Sequence, residues 1–461
     1  MNVIRASQLT VDDTWLVEWS RFAAALRFED LPADVVARAR LVLLDTIGAI
    51  AAGAQEPEMV ALTRRMATLH GTGGMTTAVV GGRTRLPLPV AAFLNGTAGT
   101  MLELDEGNQY CRGHPAIHVV PAALAEAERR GACGRDLIRA LVLGYEIGAR
   151  IGIASTLRVT MHPHGTWGTV GAAVAAAALA GADAATMRET INVASTLGLA
   201  TSRRTMLQGG TVRNTYAGVA NQLGLVAVEL VGAGFVGEPD GVATVFGTVS
   251  ADDFRPAEMT RELGSRWEIA RNYFKRHAAC RYTHGALDAL GAILAETGPV
   301  APDDIASLEV ETYVWAAQLD DPSPRNMLAA KFSLPFALAT TIVTGSTGVA
   351  SFREPARLDA ATQALAARVT VREDPAFTAA LPSLRPARVT LALRDGRRVQ
   401  REVTTNRGDT ESPYPAEEII AKFDGLAAPV WGADGAAAIR AAVDAIDAAP
   451  DVRPFIALLE E

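Results

Sequence analysis

A chain of 461 residues, 49% hydrophobic and 6% aromatic, exceeds one ordinary core, so two or more domains are expected. The formal net charge of −8 argues against a broad nucleic-acid surface but leaves room for an anionic substrate in a local basic pocket. Three cysteines, at 111, 133 and 280, make no disulfide framework, the N-terminus lacks a signal-peptide pattern, and the most apolar run, Val170 to Ala182, is too short to span a membrane, so a cytoplasmic protein is expected.

Trp15 to Arg27 and Leu31 to Ala52 read as helices, the second opened by Pro32 and carrying Val35, Val36, Ala39, Val42, Leu43 and Ile47 at helical spacing. Gly71 to Pro89 changes to a short extended excursion, and Leu88 to Met101 returns to small-residue helix. The stretch Gly99 to Glu128 then gathers Glu103, Asp105, Glu106, Asn108, Gln109, Cys111, His114 and His118. Pro115 is expected to break any continuous helix there and Pro121 to open the one that follows, leaving the polar groups in a loop. A solvated acidic loop is the competing reading.

Helices follow over Gly134 to Leu157, through the Ala/Gly stretch ending near Gly181, and over Asp183 to Gly198, Thr215 to Gly232 and Pro239 to Phe246. From Trp267 the pattern changes. Ile305 to Val314 alternates as a half-buried strand does, and Ala387 to Leu393, Asp395-Gly396 and Val399 to Val403 read as a hairpin. His284 to Glu296 and Ala329 to Val343 are expected to be helical between them, as is the chain from Thr410 onward. The expected fold is mainly α with an α+β insert: a large helical domain over 1–266 and 406–461, and a smaller α+β lid domain over 267–405.

Six of the seven histidines fall in three windows: His114 and His118, His162 and His164, His277 and His284. The second window ends in a turn leading to a helix, where backbone N–H groups attract anions and a histidine can exchange a proton near neutral pH. The third holds Lys275, Arg276, His277, Arg281 and His284, a local cationic patch that can bind carboxylates, with a solvated basic face as the alternative. Arg203, Arg204 and Arg213 add candidate anion contacts. No metal is expected, because the Cys111, His114, His118 spacing matches no standard zinc site. No Walker A or Rossmann fingerprint follows a strand, so nucleotide cofactors are not expected either.

Taken in order, LELDEGNQYCRGHPAIHVVPAALAEAE, MHPHGTWGTVGAA, RNTYAGVANQLGLVAVELVGAGF, FKRHAACRYTHGALDA, KFSLPFALA and NRGDTESPYPAEEIIAKF resemble the MmgE/PrpD family, which includes 2-methylcitrate dehydratase, cis-aconitate decarboxylase and iminodisuccinate epimerase. The resemblance implies a homodimer whose pocket, between helical domain and lid, takes small polycarboxylates without metal or organic cofactor. It implies that His114, His162 and Lys275 are catalytic, with Glu103 and Arg213 at the substrate; His277, Arg281 and His284 of the cationic patch are the further candidates for binding it. Gly107 stands where threonine is common, Arg213 where lysine is, and Phe336 where tyrosine is frequent. The implied chemistry is proton transfer at a carbon next to a carboxylate: dehydration or decarboxylation by a lyase, or epimerisation of an imino- or amino-dicarboxylate. A silent carboxylate-binding relative is a third reading. The acids Glu103 to Glu106 would repel a carboxylate, so they are expected to orient a histidine or lysine from behind.

Overall fold

The computed structural model describes residues 13–71 and 73–460; the N-terminal stretch read above for targeting lies outside them. The fold is mainly α, with an α+β portion. Helix Ala33–Ala54 buries its apolar face, including Val35, Val36, Ala39, Val42, Leu43 and Ile47. Against that helix lies the long C-terminal helix Ala416–Asp444, where Phe423 fills the space beside Gly48 and Lys422 Nζ pairs with Asp45 Oδ1 at 2.6 Å. Both ends of the chain therefore build the helical body.

Small residues let its helices touch. Leu88–Thr100 and Tyr216–Gly232 cross so closely that a Cβ at Gly96 would sit 2.8 Å from the Gly218 Cα. Helix Gly168–Leu179 is buried from Gly168 to Ala178, as a run of alanine, glycine and valine with the single polar residue Thr169 would predict. Two antiparallel ribbons interrupt this body, so it is not purely helical. Thr76–Ala78 pairs with Arg85–Pro87, within the stretch read as extended, and Ser155–Leu157 pairs with Ala251–Phe254, which carries no sequence signal of its own.

The α+β portion centres on a four-stranded sheet, Val369–Glu373, Ile305–Thr312, Ala387–Leu393 and Arg398–Val403 in spatial order. The first pair is parallel, with Leu308 opposite Val369, and the others are antiparallel, with Leu308 opposite Leu391 and Leu391 opposite Val399. The hairpin turns through Gly396 at φ 92°, a conformation that glycine adopts freely. Helix Arg281–Thr297 covers the sheet and buries Leu287, Leu290 and Ile293. The helix expected over Ala329 to Val343 is two pieces, Met327–Lys331 and Leu334–Thr344, because Pro335 starts a new first turn, capped by Ser333 Oγ accepting from the Phe336 N–H at 3.0 Å.

Pro115 and Pro121 behave otherwise than their sequence reading. Helix Pro115–Arg130 begins at Pro115 and runs through Pro121. A proline inside a helix leaves the carbonyl four residues earlier without its donor. Here Asn221, from the neighbouring helix, donates from Nδ2 to the Ile117 carbonyl at 2.8 Å and accepts from the Ala122 N–H at 2.9 Å. The side-chain amide replaces the missing backbone bond, and one continuous helix carries His114 at its cap and His118 one turn inside.

Candidate active site

The loop between Leu88–Thr100 and Pro115–Arg130 is almost wholly buried, contrary to a solvated acidic loop: Glu103, Asp105 and Glu106 are each 1% exposed. Two of its residues hold left-handed backbone conformations unusual for side-chain-bearing residues, Glu103 at φ 55° and Arg112 at φ 58°. Such strain costs about 1–3 kcal/mol per residue and persists where surrounding structure holds it.

Glu103 is held by Arg213 and, at 3.3 Å, by Lys275 Nζ; Lys275 also lies 3.4 Å from Asp105 Oδ1. The opposite Asp105 oxygen, Oδ2, lies 3.1 Å from His114 Nδ1, which donates to the Glu106 carbonyl at 2.6 Å. With the Glu106 carbonyl accepting from Nδ1 and the Asp105 carboxylate beside it, the His114 proton belongs there and Nε2 carries the free lone pair. Burial pushes the His114 pKa down to about 4, against the raising effect of Asp105. Burial alone would raise Asp105, but His114, Lys275 and Arg213 bring it to about 2, so it stays ionised. Glu106 is pushed up to about 8 by burial, although its carboxyl receives the Ala116 N–H, the Tyr145 hydroxyl and the Asn272 amide.

His162 has the complementary arrangement. Its Nδ1 accepts from the His164 N–H at 3.1 Å, so its proton sits on Nε2. Burial, with Arg213 and Arg203, drives its pKa well below the usual histidine value. The two neutral imidazoles, one with a free lone pair and one with a free N–H, bracket His164, whose ring centroid is 4.6 Å from that of His114 and 5.0 Å from that of His162. His118 fixes this geometry: it donates from Nδ1 to the His114 carbonyl at 2.8 Å and accepts the Gly165 N–H on Nε2 at 3.0 Å. Gly168 makes room for it, since a Cβ there would overlap the His118 ring.

A tight cavity of about 40 Å³ lies between these histidines and the α+β portion; Glu103, His114, His162, His164 and Arg213 line it together with Tyr273, Arg281, Arg112, Arg203 and Arg385. Arg213 and Arg281 are paired with Glu103 and Asp409. Arg112, Arg203 and Arg385 have no carboxylate partner among the described residues. Buried N–H groups of Arg203, Arg213, Arg281 and Arg385, and Nδ1 of His164, are without hydrogen-bond partners among those residues. Such donors are what an anion with several carboxylates would satisfy.

Several expected site residues fall elsewhere. Lys275 does not line the cavity; it is fully buried behind Glu103 and Asp105, where it neutralises them. His277 is occupied by Thr347 on Nδ1 and Asp288 on Nε2. His284 accepts from Arg281 on Nδ1 at 2.9 Å and donates from Nε2 to the Ala279 carbonyl, so it braces Arg281 rather than meeting a ligand. Phe336 packs against Phe352 in the core, away from the cavity. Sequence reasoning passed over Arg112, Arg385 and Tyr273. Arg112 stood in the right window, while Arg385 precedes a strand and carried no signal. Asp105, His114 and His164 place ligand atoms within 4.8 Å of one another, as a metal site would. However, Lys275 beside Asp105 and Arg213 Nη2, 3.4 Å from His164 Nε2, put two fixed cations against that donor set.

The MmgE/PrpD N-terminal domain matches residues 17–251, and the MmgE/PrpD C-terminal domain matches residues 277–448. The chain belongs to the MmgE/PrpD family. Within it, the chain is 26% identical to the cis-aconitate decarboxylase-like protein oryM of Aspergillus oryzae, over 96% of each chain. It is 25% identical to the cis-aconitate decarboxylase of Aspergillus terreus, over 96% of this chain and 95% of that one. The human cis-aconitate decarboxylase is 25% identical over 86% of this chain and 84% of its own. As in its MmgE/PrpD relatives the similarity runs through both portions of the chain, so both walls of the cavity lie within it. No helix among the described residues is long and apolar enough to cross a membrane.

Proposed function

We propose that this MmgE/PrpD protein is a cofactor-independent lyase acting on a small tricarboxylate. The observation that carries the reading is the set of three guanidinium groups without carboxylate partners, Arg112, Arg203 and Arg385, around two histidines of opposite tautomer. Three uncompensated cations match a trianion better than a dianion. The similarity to cis-aconitate decarboxylases supports the same substrate class.

In this reading His114 Nε2 takes a proton from the carbon next to a carboxylate, and the arginines stabilise the enediolate that forms. In a dehydration, the electron pair expels the β-hydroxyl, which leaves as water with the proton from His162 Nε2. In a decarboxylation no proton is removed first: the C–C bond breaks with release of CO₂, its electron pair remains on the carbon skeleton where the arginines stabilise the charge, and His162 Nε2 delivers the one proton to carbon. Epimerisation would use the same two groups on opposite faces of one carbon. Two copies of the chain, expected from the resemblance, belong to this reading and are tested by light scattering.

Proton NMR in D₂O with citrate, methylcitrate, cis-aconitate and iminodisuccinate separates the outcomes. Loss of water or CO₂ is expected; deuterium uptake without net conversion would turn the assignment to an isomerase, and no exchange or binding across the panel would defeat it. His114→Ala and His162→Ala are each expected to lower turnover by about 10²–10⁴-fold, as general acid–base groups do, with melting temperature little changed.

A further inference from the structure

We infer that Tyr273 supplies a substrate-contacting hydroxyl in this site and that Gly107 is glycine in order to admit it. The inference rests on the proposed tricarboxylate site and names a residue that orients its ligand.

Tyr273 and Gly107 form a two-bond backbone bridge: the Gly107 N–H donates to the Tyr273 carbonyl at 3.1 Å and the Tyr273 N–H to the Gly107 carbonyl at 2.7 Å. The bridge lays the phenol across Gly107. A Cβ built there would overlap the Tyr273 hydroxyl, lie 2.5 Å from its Cζ and 2.8 Å from the Gly113 carbonyl. Gly107 is not among the residues with positive φ. Its φ therefore does not call for glycine; the tyrosine ring, together with the Gly113 carbonyl, does.

The ring is fixed on its other sides. Its plane stands edge-on to His114, with centroids 6.2 Å apart at 85°. The Arg281 guanidinium lies 4.4 Å from its centroid, and Arg281 is itself held by Asp409 and the Arg407 carbonyl. Tyr273 is 3% exposed and lines the cavity. By contrast with Tyr145, which donates to Glu106, the Tyr273 hydroxyl has no hydrogen-bond partner among the described residues. Burial holds this phenol well above the usual tyrosine pKa, so it is a donor at neutral pH. A buried phenolic donor next to His114, in a cavity ringed by arginines, suits one carboxylate oxygen of the ligand and sets its carbon skeleton relative to the His114 lone pair.

Tyr273→Phe keeps the ring and its stacking and removes only the hydroxyl. The expected result is a loss of kcat/KM of about 10–100-fold on the tricarboxylate that wild type turns over, with weaker cis-aconitate binding by calorimetry, as loss of one hydrogen bond to a charged group produces. The melting temperature should not fall. Wild-type turnover together with an unchanged Tyr273→Phe variant overturns the inference alone, whereas a wild type that neither binds nor converts the panel overturns the functional reading and the inference with it. Gly107→Ala supplies the second arm. It should lower the melting temperature, and Tyr273→Ala in the same chain should restore the part of that loss that the ring causes, leaving the part due to the Gly113 carbonyl; absence of any recovery would remove the reason given for Gly107.

Discussion

Charge at single residues decides what this site can do with pH. His114 and His118 are both brought down to about 4 by burial. A base must be neutral to accept a proton, so a lowered pKa extends its working range toward acid: kcat at saturating substrate, which does not follow ionisation of the free tricarboxylate as kcat/KM does, is expected to stay level from neutrality until the pH nears about 4. A limb between pH 6 and 7, near the unperturbed histidine value of about 6.5, would point to a different base. Stability moves in the opposite sense to that tolerance. Between about 6.5 and about 4 the unfolded chain takes up protons that the buried imidazoles of His114, His118, His162, His164 and His284 refuse. These outnumber Glu106 and Glu146, which burial raises to about 8 and about 7 and which act in the opposite sense, so the melting temperature should decline across that window as pH falls. Lys275 yields a second prediction at this scale. Removing its charge leaves Glu103 and Asp105 buried with one cation fewer, so Lys275→Met should destabilise the fold by about 3–5 kcal/mol, read by urea denaturation. A variant that folds normally but loses turnover would return Lys275 to the chemistry.

The elements that deliver these residues were legible in unequal degree. Apolar spacing located the helices between Trp15 and Ala52, and Asp395-Gly396 located the hairpin, because in both cases local pattern and final structure agree to within a few residues. Pro121 was misread because its solution is tertiary: the missing donor comes from Asn221, 100 positions later in the chain. Asn221→Leu should therefore cost about 1–3 kcal/mol, the penalty for leaving buried backbone groups unpaired, measured as a shift in denaturation midpoint. A loss within experimental error would mean that the helix repairs its own gap. Strand Val369–Glu373 escaped notice for another reason. It is a five-residue edge strand whose only apolar residues are Val369 and Val371, too short a run to stand out in the sequence. Within the site, clustering of histidines pointed to the correct windows but did not separate groups that line a cavity from those that brace the lining. That distinction lies in which ring nitrogen is already bonded, as His118, His277 and His284 illustrate.

For the whole molecule, the cavity's size has a practical consequence. Ligand pockets usually enclose about 300–1,000 Å³, and a space of about 40 Å³ has room for only a few waters. A tricarboxylate is larger than that space, so loading is expected to require its walls to move apart and return. Binding is then a two-step event whose observed rate levels off as ligand concentration rises, with the plateau set by the protein's own motion. Crystals grown in this closed arrangement would resist soaking, and a complex would have to be formed in solution before the lattice is.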